Sequence, residues 1–201
     1  FGQMASIPLN IGIFYLVAIS SSVVIGIILA GWSSNNKWGL LGAMRSAAQI
    51  ISYEIPLSLA LLVPILIAGS LNLLDIIKAQ EGGIHHWFIF RYPPFTIVAF
   101  MIYFVASLAE TNRTPFDIPE AESELVAGFH VEYSGLRFAM FFLAEYANMF
   151  LVAGVATAVF LGGGYGLLPG EPVLGGVLNF LIKAMLIVFV QMALRWTLPR
   201  L

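Results

Sequence analysis

Apolar residues gather into five long stretches of this 201-residue chain, and polar residues punctuate them. The stretches run about Ile11–Trp32, Ala47–Ala68, Thr96–Ala109, Phe138–Leu161 and Gly176–Leu194. Each is apolar on every side rather than alternating with period two, which predicts helices and no barrel strands. A helix crossing a bilayer needs roughly 20 mainly apolar residues to cover about 30 Å of hydrocarbon. The third stretch is short and is expected to begin nearer Tyr92, behind Pro93–Pro94. The pattern predicts an all-α integral membrane protein, one membrane domain over residues 1–201 with five transmembrane helices. Their spans are about 11–32, 47–68, 92–109, 138–161 and 176–194.

Two connections carry more than turn chemistry. Residues 70–95 hold Leu71, Leu73, Leu74, Ile76 and Ile77, then Gly82–Gly83 and His85–His86–Trp87. This predicts a short amphipathic helix on the membrane surface, ended by glycines, with aromatics at the interface. Adjacent histidines are potential metal ligands, but no acid or histidine stands at a helical spacing from them, so interfacial polar residues are the favoured reading. The second connection, 110–137, holds six of the eleven acids: Glu110, Asp117, Glu120, Glu122, Glu124 and Glu132. Asp117 is a good N-cap with Glu120 three residues on, as in a capping box, and Gly128 suits a C-terminal stop. A short helix over about Ile118–Ala127 is expected, with Glu120 and Glu124 on one face. A solvated acidic face is one reading of it. Interleaved Phe116, Ile118, Leu125, Val126 and Phe129 favour partial burial instead, and connections of this length tend to be functional.

Composition narrows the class. The chain is 60% hydrophobic and 10% charged, with a mean hydropathy of +0.93, against about 25% charged for an ordinary soluble domain. Nine basic residues against eleven acidic ones, without a basic run, give no footprint for nucleic acid. The absence of cysteine excludes disulfides, thioether haem attachment, iron–sulfur ligation and thiolate zinc from this chain. No metal site is expected. Phe1 is not a start methionine, so the chain reads as part of something longer. Lys37, Arg45, Arg113, Arg137, Arg195 and Arg200 fall on one side of the predicted bundle, Lys78 and Arg91 on the other. That bias places the 111–137 segment in the cytoplasm and the N-terminal end outside. Lys183, near the outer end of the fifth span, is expected to snorkel to the interface.

Carboxylates inside the spans are the strongest local signal. Glu54 and Glu145 sit within helices, where an acid is costly and commonly marks an ion or proton route. Counted from Arg45 and Arg137, both lie roughly 12–14 Å in, with Glu110 above them. Pro56, one turn from Glu54, frees the carbonyl of Ser52 and suits a hydrated kink. Packing locks between helices remain the plain alternative. Phe138, Phe142 and Tyr146 repeat at i, i+4; such a stripe usually packs or meets lipid, and beside an acidic mouth it also fits the wall of a tunnel for a flat apolar ligand such as a quinone.

Several motifs resemble one family closely. Ala109–Phe129 (AETNRTPFDIPEAESELVAGF), Val131–Gly135 (VEYSG), Phe142–Asn148 (FLAEYAN), Ala30–Lys37 (AGWSSNNK), Leu41–Pro56 (LGAMRSAAQIISYEIP) and Arg195–Arg200 (RWTLPR) are similar to the NuoH family. Its members are a membrane subunit of respiratory complex I, the proton-pumping NADH:quinone oxidoreductase. The resemblance implies a subunit that forms part of the quinone chamber and begins the buried charge path coupling quinone reduction to proton translocation. It implies that Glu54, Glu110 and Glu145 are proton-coupling acids. Asp117, Glu120, Glu122, Glu124 and Glu132 would form the acidic loop at the quinone chamber. Arg45, Arg113, Phe129, Phe138 and Phe142 become candidates for the quinone tunnel. Quinone would be a substrate, while NADH, flavin and iron–sulfur clusters would belong to partner subunits. The implied partners are those other subunits, quinone and the lipid bilayer, with a bacterial plasma membrane as the expected location.

The chain also departs from the family pattern. The family has eight helices, of which this chain would supply the third to the seventh. Its first span has Val23 where some members carry an acid. Rival readings are a homologous subunit of a membrane-bound hydrogenase-type complex, a stand-alone proton-coupled transporter, and a structural anchor. A transporter would be expected to show paired discontinuous helices or internal repeats, which are not visible here.

Overall fold

The computed structural model describes residues 10–117, 128–166 and 174–198, and every regular element among them is helical. The first apolar stretch forms α1 (Gly12–Ser21) and α2 (Val23–Ser33), together a 22-residue span. The break falls in a serine triplet. The Ser20 hydroxyl donates to the carbonyl of Val17 at 2.8 Å, and the Ser22 hydroxyl donates to that of Ile19 at 2.6 Å. Hydroxyls bonded back onto the preceding turn compete with the helix ladder and bend it.

Next comes α3 (Lys37–Ala68), whose start lies well before the expected Ala47. Asn36 explains the extension: its side-chain oxygen accepts from the amide of Trp38 at 3.0 Å, which caps the helix among residues too polar to register as membrane span. Pro56 and Pro64 lie inside α3 and withdraw two donors from its ladder. The helix closes at Gly69 with φ of 68°, a left-handed stop that glycine adopts without steric cost.

The connection that follows carries the expected short amphipathic helix, with Ile76 buried and Asp75 and Lys78 exposed. It contains α4 (Leu73–Lys78), a 3₁₀ turn at Ile84–His86 and α5 (Phe88–Arg91). Its α4 packs against a later helix, α7 (Gly135–Phe160). Trp87, expected at the interface, is 7% exposed and its neighbour Phe88 1%, because Gln80 draws this loop inward. Fully buried, Gln80 donates to the carbonyls of Ile76, Ala158 and Val159 and accepts from the amides of Phe88 and Gly162. His85 and His86 are exposed.

Helix α6 (Phe95–Glu110) has 16 residues, about 24 Å long. A 3₁₀ turn at Gly128–His130, then α7 and α8 (Leu174–Thr197), complete the described chain. Among the described residues four helical spans, α1–α2 together, α3, α7 and α8, are long and apolar enough to cross a membrane, and α6 is a shorter apolar helix. Together they make an all-helical membrane bundle in which α3 is the hub, packed along α2 and α6, while α7 pairs with α8. Apolar packing divides in two. A larger cluster joins α3, α6, α7 and α8 around Leu61, Tyr103 and Phe160, and a smaller one joins α2, α3 and Phe129.

Lys183 corrects an expectation. Its ammonium is not left to water: the residue is 3% exposed, and its ammonium donates to the carbonyls of Leu161, Gly163 and Tyr165 at 2.6, 3.0 and 2.6 Å. Gly162 and Gly163, with φ of 70° and 55°, turn the chain beyond α7 so that these carbonyls converge. The Trp87 ring lies 4.2 Å from the same ammonium, within cation–π range. Every donor is used, and the partial negative charge of a helix C-terminus faces the cation. The expected helix over Ile118–Ala127, with Glu120, Glu122 and Glu124, lies outside the described residues.

Candidate functional site

The intramembrane acids are held where the two apolar clusters meet. A cavity of about 250 Å³ opens between α2, α3, the turn after α6, the Gly128–His130 turn and α7. Its polar wall is Glu110, Asn112, His130, Glu145 and Asn148; its apolar wall includes Val23, Ile27, Ile50, Phe129 and Phe141. Glu110, at the last turn of α6, is 8% exposed. It also lines a small crevice beside Val17, Ser20 and Tyr103.

Each acid has its own setting. Glu54 on α3 accepts a hydrogen bond from the hydroxyl of Ser21, at the end of α1. Glu145 on α7 pairs with Arg113, Nε to Oε1 at 3.0 Å. The guanidinium stacks on Tyr146, 4.6 Å from the ring centre, and Arg113 is 7% exposed. A buried ion pair of this kind needs its geometry fixed, since both charges lose their water. Gln49 fixes the turn that carries Arg113, donating to the carbonyls of Ala109 and Phe116 at 2.8 Å. Asn112 adds a bond to the Ser46 hydroxyl at 3.1 Å and holds a left-handed φ of 49°. Glu110 and Glu145 therefore line one cavity, while Glu54 is held at the end of α1 by Ser21.

The remaining candidates are distributed less evenly. Asp117 is buried at 8% exposure. Glu132 is exposed and accepts from the Asn36 side chain at 3.0 Å. Beside it Tyr133 donates to the carbonyl of Ala30 at 2.9 Å, so these two clamp the loop onto the α2–α3 turn. Arg45 is exposed on α3. Phe129 is buried and lines the cavity. On α7 the cavity wall is Phe141, Ala144, Glu145 and Asn148. Phe138 and Phe142 stand behind it, their rings 5.8 and 6.3 Å from the imidazole of His130.

Sequence reasoning does not single out Phe141, His130, Asn148 or Gln49. A signal for the first and third exists, because 141, 145 and 148 share the helical face of Glu145. Among the described residues no group of three or more potential metal-binding side chains comes together.

Comparison with known proteins adds a further observation. The family model described as NADH dehydrogenase matches residues 1–201. The NADH-quinone oxidoreductase H subunit of Chlorobaculum tepidum is 53% identical over 96% of this chain and 57% of its own length. The protein of the same name from Anaeromyxobacter dehalogenans is 47% identical over 100% of the chain and 53% of its own length. That from Bacteroides fragilis is 50% identical over 96% and 55%. The chain thus spans a little over half the length of the curated relatives it matches.

Proposed function

Because the chain belongs to the NADH dehydrogenase family and matches relatives named as the H subunit of NADH-quinone oxidoreductase, we propose that it works as a membrane subunit of such a complex. In this reading it forms part of the wall of the quinone chamber and carries the buried carboxylates through which quinone reduction drives proton translocation. Quinone is the substrate, while flavin, NADH and iron–sulfur clusters sit on partner subunits. The membrane is bacterial, and the 110–137 segment faces the cytoplasm.

The observation that carries this reading is that Glu110 and Glu145 line one cavity of mixed polarity. Reducing a quinone changes the charge and proton demand of its surroundings. Carboxylates held in low dielectric respond strongly to a charge change nearby, because neutral and ionised forms differ in solvation cost. Arg113 holds Glu145 in place as the charged partner. Movement of negative charge near Arg113 would weaken that hold and favour proton uptake at Glu145. Glu110 relays the change to Glu54 through their mutual repulsion, and Ser21 steadies Glu54 by its hydrogen bond. Phe129 and Phe141 give the cavity flat apolar walls, suited to an aromatic ring system.

The test uses the assembled complex in membranes. Glutamine keeps shape and some hydrogen bonding but removes titration. Glu54→Gln or Glu145→Gln should assemble normally and oxidise NADH with artificial acceptors, yet lose roughly tenfold or more of quinone reduction and pumping, a loss of at least about 1.4 kcal/mol of barrier stabilisation. The double variant should be little worse than the worse single one. Strictly multiplicative losses would reject a shared relay, and silent variants would leave the acids as packing locks.

A further inference from the structure

Behind the Arg113–Glu145 pair lies a second, smaller cleft. It has a volume of about 80 Å³ between α7 and the last turns of α8 and is lined by Arg113, Tyr146, Gln191, Met192, Arg195 and Trp196 among others. We propose that this cleft binds the phosphate group of an anionic phospholipid with a hydroxyl-bearing headgroup.

Three observations carry the proposal. The first is charge. Glu145 neutralises one guanidinium, Arg113, on the far side of the ion pair, while Arg195 has no acidic partner among the described residues. Among the described residues that line the cleft one positive charge is left over, which a singly charged phosphodiester cancels, and a guanidinium matches phosphate oxygens bidentately. The second is polarity. Gln191 is 1% exposed; its amide nitrogen reaches the Ser107 hydroxyl at 3.4 Å, and its Oε1 accepts no hydrogen bond among the described residues. A headgroup hydroxyl supplies the missing donor. The third is depth. Arg195 and Trp196 occupy the closing turn of an apolar 23-residue span, the level at which tryptophan and arginine meet lipid headgroups. Below them Met192, Phe189, Met185 and Leu186 are exposed on α8, an apolar strip on which acyl chains can lie. A free anion would satisfy only the first observation and would make no use of the strip.

This cleft shares Arg113 with the carboxylate site, but the proposal does not rest on the quinone reading, because its readout is bound lipid rather than turnover. The experiment uses the intact detergent-purified complex containing the full-length protein. Retained phosphatidylglycerol is counted by extraction and mass spectrometry. The thermal midpoint of partly delipidated complex is then followed as phosphatidylglycerol, phosphatidylcholine or inorganic phosphate is added. Wild-type complex should regain stability with phosphatidylglycerol and not with phosphatidylcholine or inorganic phosphate. Arg195→Gln should lose about one bound phosphatidylglycerol per complex and its stabilising response. Met192→Glu, which puts a competing carboxylate in the cleft while leaving both arginines, should do the same. Recovery equal with inorganic phosphate would make the cleft a small-anion site and overturn the lipid assignment. A wild-type complex indifferent to phosphatidylglycerol, or variants that retain and respond to it as wild type does, would overturn the proposal whichever variants assemble.

Discussion

At the residue scale, buried polar side chains in this bundle act mainly on backbone carbonyls. Gln80 and Lys183 between them satisfy Ala158, Val159, Leu161, Gly163 and Tyr165 at the end of α7. With no water in the hydrocarbon to take their place, those carbonyls would otherwise be orphaned. Lys183→Met keeps most of the side-chain volume and removes all three donors. It should lower the stability of the assembled complex by on the order of 2 kcal/mol, read as a drop in the thermal midpoint of the purified complex. Gln80→Leu should behave similarly, since it strips bonds on both the donor and the acceptor side. If either variant melts with wild type, the polar lock is ornamental. Arg113 makes a different case. Arg113→Met leaves Glu145 without its described counter-ion, and a buried carboxylate in that state becomes protonated or draws in water. Quinone reduction should therefore fall in Arg113→Met by at least as much as in Glu145→Gln, while NADH oxidation by artificial acceptors persists.

At the element scale, the loop that closes the carboxylate cavity is held by close backbone approach. A Cβ on Gly42 of α3 would lie 2.9 Å from Gly128 Cα and 3.1 Å from the Phe129 nitrogen. Only glycine lets the Gly128–His130 turn lie flat on α3, and that turn delivers Phe129 and His130 to the cavity. Neither neighbour is a flexible side-chain end, so the cost cannot be relieved locally. Gly42→Ala should destabilise the loop by about 1–3 kcal/mol, the range for overpacking. Hydrogen exchange should show it as faster exchange confined to the segment around residues 128–134. Uniformly faster exchange across α3 would mean that the helix itself had failed. The clamp by Glu132 and Tyr133 on the α2–α3 turn works on the same loop from its other end, and Tyr133→Phe should loosen it by roughly 1 kcal/mol, the worth of one hydrogen bond.

At the scale of the whole molecule, the excess of lysine and arginine on one side predicts orientation. A reporter fused after Gly135 should be cytoplasmic and one fused after Gly170 external; the reverse would invert the proposed route of protons. Membrane class and the placing of Glu54 and Glu145 within long apolar helices are legible in the sequence because they depend on composition and on runs longer than one bilayer crossing. The family follows from motifs that lie in the same linear order as the chain. Depth counted along single helices sets Glu54 level with Glu145 but gives no lateral distances, so it does not show that Glu110 and Glu145 face one cavity. Helical phase alone favours Phe138 and Phe142, where packing turns Phe141 and Asn148 inward. Lys183 shows the limit most plainly. Its place in the sequence fits an interfacial cation, and its burial depends on carbonyls at Leu161, Gly163 and Tyr165 that two left-handed glycines turn toward it. Backbone acceptors are present at every position and carry no mark in a sequence, so which of them converge on a side chain is decided only when the helices pack.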